Sequence, residues 1–169
     1  MNDTIIYWAK VKKEVVLPQK REEDAGYDLY PCFDEDYRMI YPHEVQMIPL
    51  GVASAFSSRR VVLLKERGST GTKNIAQRSG VVDSGYRGEY MCPVSNLNDD
   101  KIILIAKEHI DVKQLPQAAF PYLLIPYEKA ICQALIMELP AMESREVSYE
   151  TLLEMKSQRM TGKLGSSGK

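Results

Sequence analysis

A single carboxylate, Asp83, stands between a short apolar run and a Ser-Gly pair in Gly80-Val81-Val82-Asp83-Ser84-Gly85-Tyr86-Arg87-Gly88. Val81 and Val82 suit a pleated, half-buried surface, and Ser84-Gly85 offers the backbone freedom of a tight turn. The stretch therefore predicts a hairpin with Asp83 and Tyr86 at its mouth and Glu89 to Asn96 as its second arm. At such a mouth a carboxylate can take a proton from water and an aromatic ring can pack against a small molecule. A second group is Lys65-Glu66-Arg67-Gly68-Ser69-Thr70-Gly71, where glycines bracket hydroxyls beside a guanidinium. Backbone N–H groups of such a loop converge on an anion, and Arg67 adds a bidentate phosphate contact. The GxxxxGK(S/T) spacing of a P-loop is absent. The C-terminal run from Arg159 to Gly168 repeats the chemistry with Gly162, Gly165, Ser166, Ser167 and Gly168. Two such segments point to one polyphosphate gripped from two sides.

Two more residues belong with these. Asp28 lies in an extended stretch, Asp24-Ala25-Gly26-Tyr27-Asp28-Leu29, with Tyr27 and Leu29 facing the other way. A carboxylate beside a phosphate cluster is tolerable with a divalent cation or an arginine nearby, and Mg²⁺ can be served by one carboxylate through water. An ordinary turn aspartate has the same local pattern. Gln133 sits in the apolar run Ile131-Cys132-Gln133-Ala134-Leu135-Ile136, where an unpartnered carboxamide costs about 1–3 kcal/mol. A satisfied edge glutamine reads the same way. His43 and His109 are near neither a nucleophile motif nor another metal ligand, and both read as solvated.

The elements that must hold these groups read as strands. Ile5–Val11 with Glu14–Leu17, Gly26–Pro31, Val45–Ala55 with a kink at Pro49-Leu50-Gly51, Val61–Leu64, Lys101–Ala106 and Ala130–Glu138 are apolar and short. Residues 65–80 are too polar and Gly-rich for a helix, Val112–Tyr127 reads as an edge excursion, and Ser148–Met155 suits one or two helical turns. Many short strands with Gly and Pro punctuation predict an all-β barrel or sandwich. Residues 1–157 are expected to form that barrel, and Gln158–Lys169 reads as a loose Gly/Ser-rich tail, which is also how a frayed terminus reads.

A chain of 169 residues predicts one domain. Its formal net charge of −1 leaves no cationic excess for stable nucleic-acid binding by counterion release. Cys32, Cys92 and Cys132 are odd in number and widely spaced, which fits thiols in a reducing compartment rather than a disulfide framework or zinc site. No signal pattern and no apolar run of membrane-spanning length is present, so a cytoplasmic protein is expected.

Taken in order, Ala25–Leu29, Glu66–Gly71, Gly80–Gly88, Ala130–Leu135 and Arg159–Gly168 resemble the five motifs of the trimeric dUTPases. The resemblance implies a distorted jelly-roll β-barrel that assembles as a homotrimer with shared active sites, closed by a flexible C-terminal lid over residues 158–169. It implies hydrolysis of dUTP to dUMP and pyrophosphate with Mg²⁺. Asp83 would orient and deprotonate the water attacking the α-phosphorus, Asp28 would touch the metal through water, and Gln133 would hold the α-phosphate side. Arg67, Gly68 and Ser69 would bind phosphates. Val81 and Val82 would read the uracil edge by their backbone, Tyr86 would pack under the deoxyribose, and Gln77 and Met91 fall among the base contacts. Arg159, Leu164, Gly165 and Ser166 would belong to the lid.

Three departures stand out: Arg67-Gly68-Ser69-Thr70-Gly71 where many relatives have Arg-Ser-Ser or Arg-Ser-Gly, Leu164 where many carry a phenylalanine, and Gly85 where aspartate is commoner. Gly85 is shared with the dCTP deaminases, which makes a dCTP deaminase or a bifunctional enzyme the nearest rival. That chemistry needs a glutamate on the strand leaving the hairpin, where this chain has Pro93. A nucleotide-responsive regulator that binds another protein is the rival from a different class.

Overall fold

The computed structural model describes residues 1–157 and residue 161. Among them the chain divides into two compact units, Met1–Leu139 and a C-terminal unit beginning at Pro140. The strand-bearing unit thus closes earlier than residue 157.

Twelve strands build the first unit: β1 (Tyr7–Lys10), β2 (Gly26–Leu29), β3 (Tyr37–Ile40), β4 (Val45–Pro49), β5 (Val52–Ala55), β6 (Arg60–Lys65), β7 (Ile75–Gln77), β8 (Gly80–Val82), β9 (Met91–Asn96), β10 (Ile102–Ala106), β11 (Tyr122–Pro126) and β12 (Cys132–Glu138). They form four small sheets with strand orders β1-β5, β11-β10-β3, β2-β12-β6-β8 and β4-β9-β7. Leu29, Ile40, Ile48, Val62, Val94, Ile105 and Cys132 from these strands meet in one continuous core. The architecture is the expected jelly-roll-like barrel. All three cysteines are buried free thiols, and Cys132 is pushed well above its ordinary pKa by its hydrogen bond with Cys92 and by burial. His43 and His109 are both exposed, beside Asp99 and Asp36.

The alternation of each strand explains its place. Gln133 and Leu135 alternate with the buried Cys132 and Ala134 on β12, which is flanked by β2 and β6. Every residue of β10 is buried, as its unbroken apolar run requires, and burying each isoleucine is worth about 1.5–3 kcal/mol. β10 pairs in parallel with β11, so the long connection between them is the crossover a parallel pair needs. It carries one 3-10 turn at Val112–Gln114, capped by the Asp111 carboxylate, and β11 is the edge strand that the sequence suggested. The Val45–Ala55 run does kink: Gly51 has φ +67, and a Cβ there would lie 2.6 Å from Cys32 Sγ and strike Val15. Glu14–Leu17 is not a strand; β1 pairs with β5 instead. β3 and β7 were not expected.

The hairpin differs from expectation in one instructive way. Its stem is β7 against β9, continued by the Arg78 N–H to Pro93 O bond (3.0 Å) and the Ser79 Oγ to Met91 O bond (3.1 Å). At Gly80, with φ +68, the chain leaves this stem, and Val81-Val82 join β6 in the neighbouring sheet. The left-handed residue is therefore Gly80. Gly85 has no positive φ, and the turn closes simply by the Tyr86 N–H donating to Asp83 O at 3.0 Å. In the second unit, the short helix α2 (Tyr149–Glu154) is N-capped by the Ser148 hydroxyl.

Candidate functional site

A cleft of about 700 Å³ opens beside β2 and β12. Asp28 on β2 faces Gln133 on β12 across the strand register, and the Arg67 loop follows directly from β6, which pairs with β12 on its other side. Arg67 is the central group. Its Nε and Nη2 lie 3.1 and 3.2 Å from the two oxygens of Asp28, and its Nη1 donates to Ala130 O at 3.1 Å. The arginine is thus held by one carboxylate and one carbonyl while still lining the cleft. After it, the single helical turn α1 (Gly68–Gly71) turns the buried Thr70 inward, its hydroxyl donating to Arg67 O at 2.7 Å, and leaves Ser69 exposed at the cleft. Ser69, the serine expected to meet phosphate, is thus the hydroxyl of this turn that lines the cleft. The Gly68 and Ser69 N–H groups have no acceptor among the described residues, as befits the first turn of a helix. Gln133 donates from Nε2 to Glu66 O at 2.8 Å, which satisfies part of its amide and fixes it on the cleft wall.

Sequence reading missed the rim. Gln19, Lys20, Arg21, Asp24 and Tyr30 also line this cleft. Lys20 donates to the carbonyls of Arg21, Glu22 and Asp24 at 3.3, 3.4 and 2.9 Å and so ties the loop into a curl. The Arg21 side chain and backbone N–H hold the Asp24 carboxyl down at about 2. The charged run Lys20-Arg21-Glu22-Glu23-Asp24, just ahead of the second strand, was the available signal.

The donor set fits a divalent cation only in a limited way. Among the described residues no three His, Cys, Asp or Glu side chains gather, and the cleft's two carboxylates, Asp24 and Asp28, are each engaged by an arginine. Such a wall suits a cation that arrives on phosphate oxygens with its own water shell, met by Asp28 through water.

Asp83 and Tyr86 are elsewhere on the subunit. Gln133 faces Lys65 on β6, whereas Val82 faces Val62, so Val82 lies two strands across and three residues along from Gln133. At ordinary strand spacings this separates Asp83 from Gln133 by roughly 15 Å. The hairpin and the Arg67 cleft are therefore separate places on the chain. The hairpin is nonetheless rigidly built. The Tyr86 hydroxyl donates to Glu89 O at 3.0 Å, Glu89 Oε1 accepts the Gly51 N–H at 2.8 Å, and Arg87 Nη1 donates to Ser84 O and Tyr86 O at 2.6 and 2.9 Å. Buried Tyr90 meets Ser54 Oγ at 2.6 Å, and desolvation pushes its phenol up. The Tyr86 ring folds directly over Gly88, where a Cβ would lie 2.6 Å from Tyr86 Cζ.

Val81 is largely exposed on β8, the outer strand of its sheet, so one side of the β8 backbone has no strand partner. Met91 begins β9, half-buried, opposite Pro49. Gln77 is buried. With its amide oriented to satisfy its neighbours, it donates to Leu64 O at 3.1 Å and accepts from Ser79 N at 2.8 Å. Its visible work is bracing the point where the strands part. Arg159, Leu164, Gly165 and Ser166 lie outside the described residues.

Comparison with known proteins converges on the same chemistry. The family model dUTPase matches residues 12–111. The deoxyuridine 5'-triphosphate nucleotidohydrolase of Leptospira interrogans is 32% identical over 103 residues, covering 59% of this chain and 70% of the relative. The dUTPase of Staphylococcus bacteriophage 80alpha, solved with dUpNHpp, superposes with a TM-score of 0.79 over 98% of this chain and 99% of its own at 22% identity. A mutant dUTPase from phage phi11 of S. aureus, solved for its coordination of a structural Mg(II) ion, superposes at 0.69 over 86% and 99% with 18% identity.

Proposed function

The chain belongs to the dUTPase family, and from that premise we propose that it hydrolyses dUTP to dUMP and pyrophosphate at sites shared between subunits of a homotrimer. The observation that carries the reading is the strand register, which at ordinary strand spacings sets the Asp83 backbone roughly 15 Å from that of Gln133. A triphosphate held in the cleft puts its α-phosphorus beyond the reach of the same subunit's Asp83. A neighbouring copy must bring its hairpin to this cleft, and a ring of three does so by symmetry.

In that assembly the cleft binds and orients the phosphates. Arg67 presents donors on a guanidinium already fixed by Asp28 and Ala130 O. Ser69 adds a hydroxyl and the free N–H groups of α1 add dipoles, while Gln133 reaches the α-phosphate side. Mg²⁺ bound to the triphosphate supplies neutralisation of its charge. Asp28 would hold that ion through water, sharing its carboxylate with Arg67. From the neighbouring hairpin, Asp83 orients the attacking water and accepts its proton, a contribution of about 10²–10⁴-fold. The β8 backbone at Val81 and Val82, whose outer side has no strand partner among the described residues, reads the uracil edge, and Met91 on β9 accepts the Ser79 hydroxyl just ahead of it. Tyr86 lies under the deoxyribose with its ring pinned by Gly88 and Glu89 O, leaving no room for a 2′-hydroxyl.

The deaminase reading is disfavoured by an observed contact. Glu89, the glutamate nearest the hairpin, spends Oε1 on the Gly51 N–H, and Pro93 follows where a proton-shuttling side chain would stand. Incubation with dUTP, dCTP, dTTP and UTP plus Mg²⁺, following pyrophosphate and ammonia, tests the proposal. Rapid pyrophosphate release from dUTP alone is expected; ammonia from dCTP refutes it.

A further inference from the structure

The Arg67–Asp28 pair is a wall with two sides. Beside it lies a second cleft of about 560 Å³, whose Lys73, Glu128 and Lys129 the proposed hydrolysis does not use. Arg67, Asp28, Tyr30 and Ser69 line both clefts. The second is completed by Lys73, at the end of the Arg67 loop, and by the chain from Leu124 on β11 to Lys129 in the turn that follows.

The charges there do not balance. Asp28 is paired with Arg67, and Glu128 accepts only the Glu108 N–H at 3.3 Å and keeps its charge, so three cations face two carboxylates and the lining is cationic by one. Lys73 and Lys129 are exposed, and neither ammonium has an ion-pair or hydrogen-bond partner among the described residues. Beside them lie the Ser69 hydroxyl and an apolar floor of Leu124, Pro126 and Ala130. Two point charges on flexible stems, with a guanidinium edge between them, suit a small and highly charged anion.

We propose that this cleft is a second anion site, separate from the nucleotide cleft, whose ligand is inorganic pyrophosphate or a comparably short polyphosphate. The anion chemistry stands on the lysines alone; that pyrophosphate is the physiological occupant rests on the hydrolysis proposed above. Pyrophosphate released beside Arg67 would pass to the other face of the same guanidinium, where two unpaired ammoniums await it, and vacate the nucleotide cleft.

The test is calorimetric titration of inorganic pyrophosphate, and separately of orthophosphate, into the full chain at low salt, free and saturated with the non-hydrolysable analogue dUpNHpp. Lys73→Ala/Lys129→Ala is titrated in parallel, and dUTP turnover of the unaltered chain is measured alongside. Pyrophosphate should bind the analogue-saturated protein at one per subunit, more tightly than orthophosphate, and it is in this saturated state that the lysine variant is compared. The double substitution should weaken it at least about tenfold. Loss of pyrophosphate binding on saturation with the analogue overturns the proposal, because the two clefts are then one site. So does an unchanged affinity in the lysine variant, or orthophosphate binding as tightly as pyrophosphate. If dUTP is not turned over while the lysine-dependent binding persists, the hydrolysis reading fails and the anion site stands.

Discussion

Two glycines of one motif, Gly85 and Gly88, should respond oppositely to the same added methyl group. A Cβ at Gly88 would lie 2.6 Å from Tyr86 Cζ and 2.9 Å from Cε2, and would also strike the Tyr86 hydroxyl, so the ring must leave its place. A Cβ at Gly85 meets nothing within 4 Å, and the residue has no positive φ that a side chain would strain. Displacing the Tyr86 ring breaks its hydrogen bond to Glu89 O, worth about 1 kcal/mol net. It also loosens the tilted contact with Tyr90 at 6.4 Å, worth about 0.5–1 kcal/mol. Tyr86 is 46% exposed, so the ring has open space to swing into and the fold stays intact. Gly88→Ala should therefore cost about 1–2 kcal/mol of stability, a shift of a few degrees in Tm. The functional cost should be larger, because the displaced ring would no longer form the proposed floor under the deoxyribose. A loss of about 10–100-fold in kcat/KM for dUTP corresponds to about 1.4–2.7 kcal/mol of transition-state binding. UTP should lose less, so the ratio of the two should shrink. Steady-state kinetics on both nucleotides, with thermal melts of Gly85→Ala and Gly88→Ala, decide it. Unaltered discrimination in Gly88→Ala, or equal damage from Gly85→Ala, refutes the reasoning.

Two further outcomes follow from the geometry. Asp83→Asn and Arg67→Ala proteins, each inactive alone, should regain activity when unfolded together and refolded as a mixture. Random assembly into rings leaves about a quarter of the sites with both groups intact, and recovery near that fraction is the expected reading; no recovery means that the site lies within one subunit. Gly26→Ala places a Cβ 2.7 Å from Gln133 Oε1 and 3.1 Å from Gln133 Cβ. The amide can turn away but the Cβ cannot, so β2 and β12 must separate slightly. A stability loss of about 1–3 kcal/mol in denaturant melts should accompany a fall of about tenfold or more in kcat/KM.

The chemistry was legible before the fold because the groups that do it come in short runs. Arg67-Gly68-Ser69 reads as an anion-binding loop from its residue types, and the structure adds that Arg67 pairs with Asp28. The strand runs were legible where alternation or an unbroken apolar stretch was strong, as on β10 and β12. What could not be read was where each strand goes. The expectation that Ser84-Gly85 supplies the special backbone geometry follows local turn chemistry. The residue that has it is Gly80, whose φ of +68 takes the chain from one sheet to another. That conformation is dictated by which strand Val81 and Val82 pair with, a contact some twenty residues away in sequence at Leu63 and Val62. The same non-local choice leaves the β8 edge free, buries Gln77 as a brace, and carries Asp83 away from the cleft that its own sequence neighbours suggested. A five-motif sequence therefore describes one site in chain order, while the strand register disperses it over the subunit surface. In the proposed trimer those motifs meet around one triphosphate between copies of the chain, and the position of Gly80 would then be a condition of the assembly as much as of the hairpin.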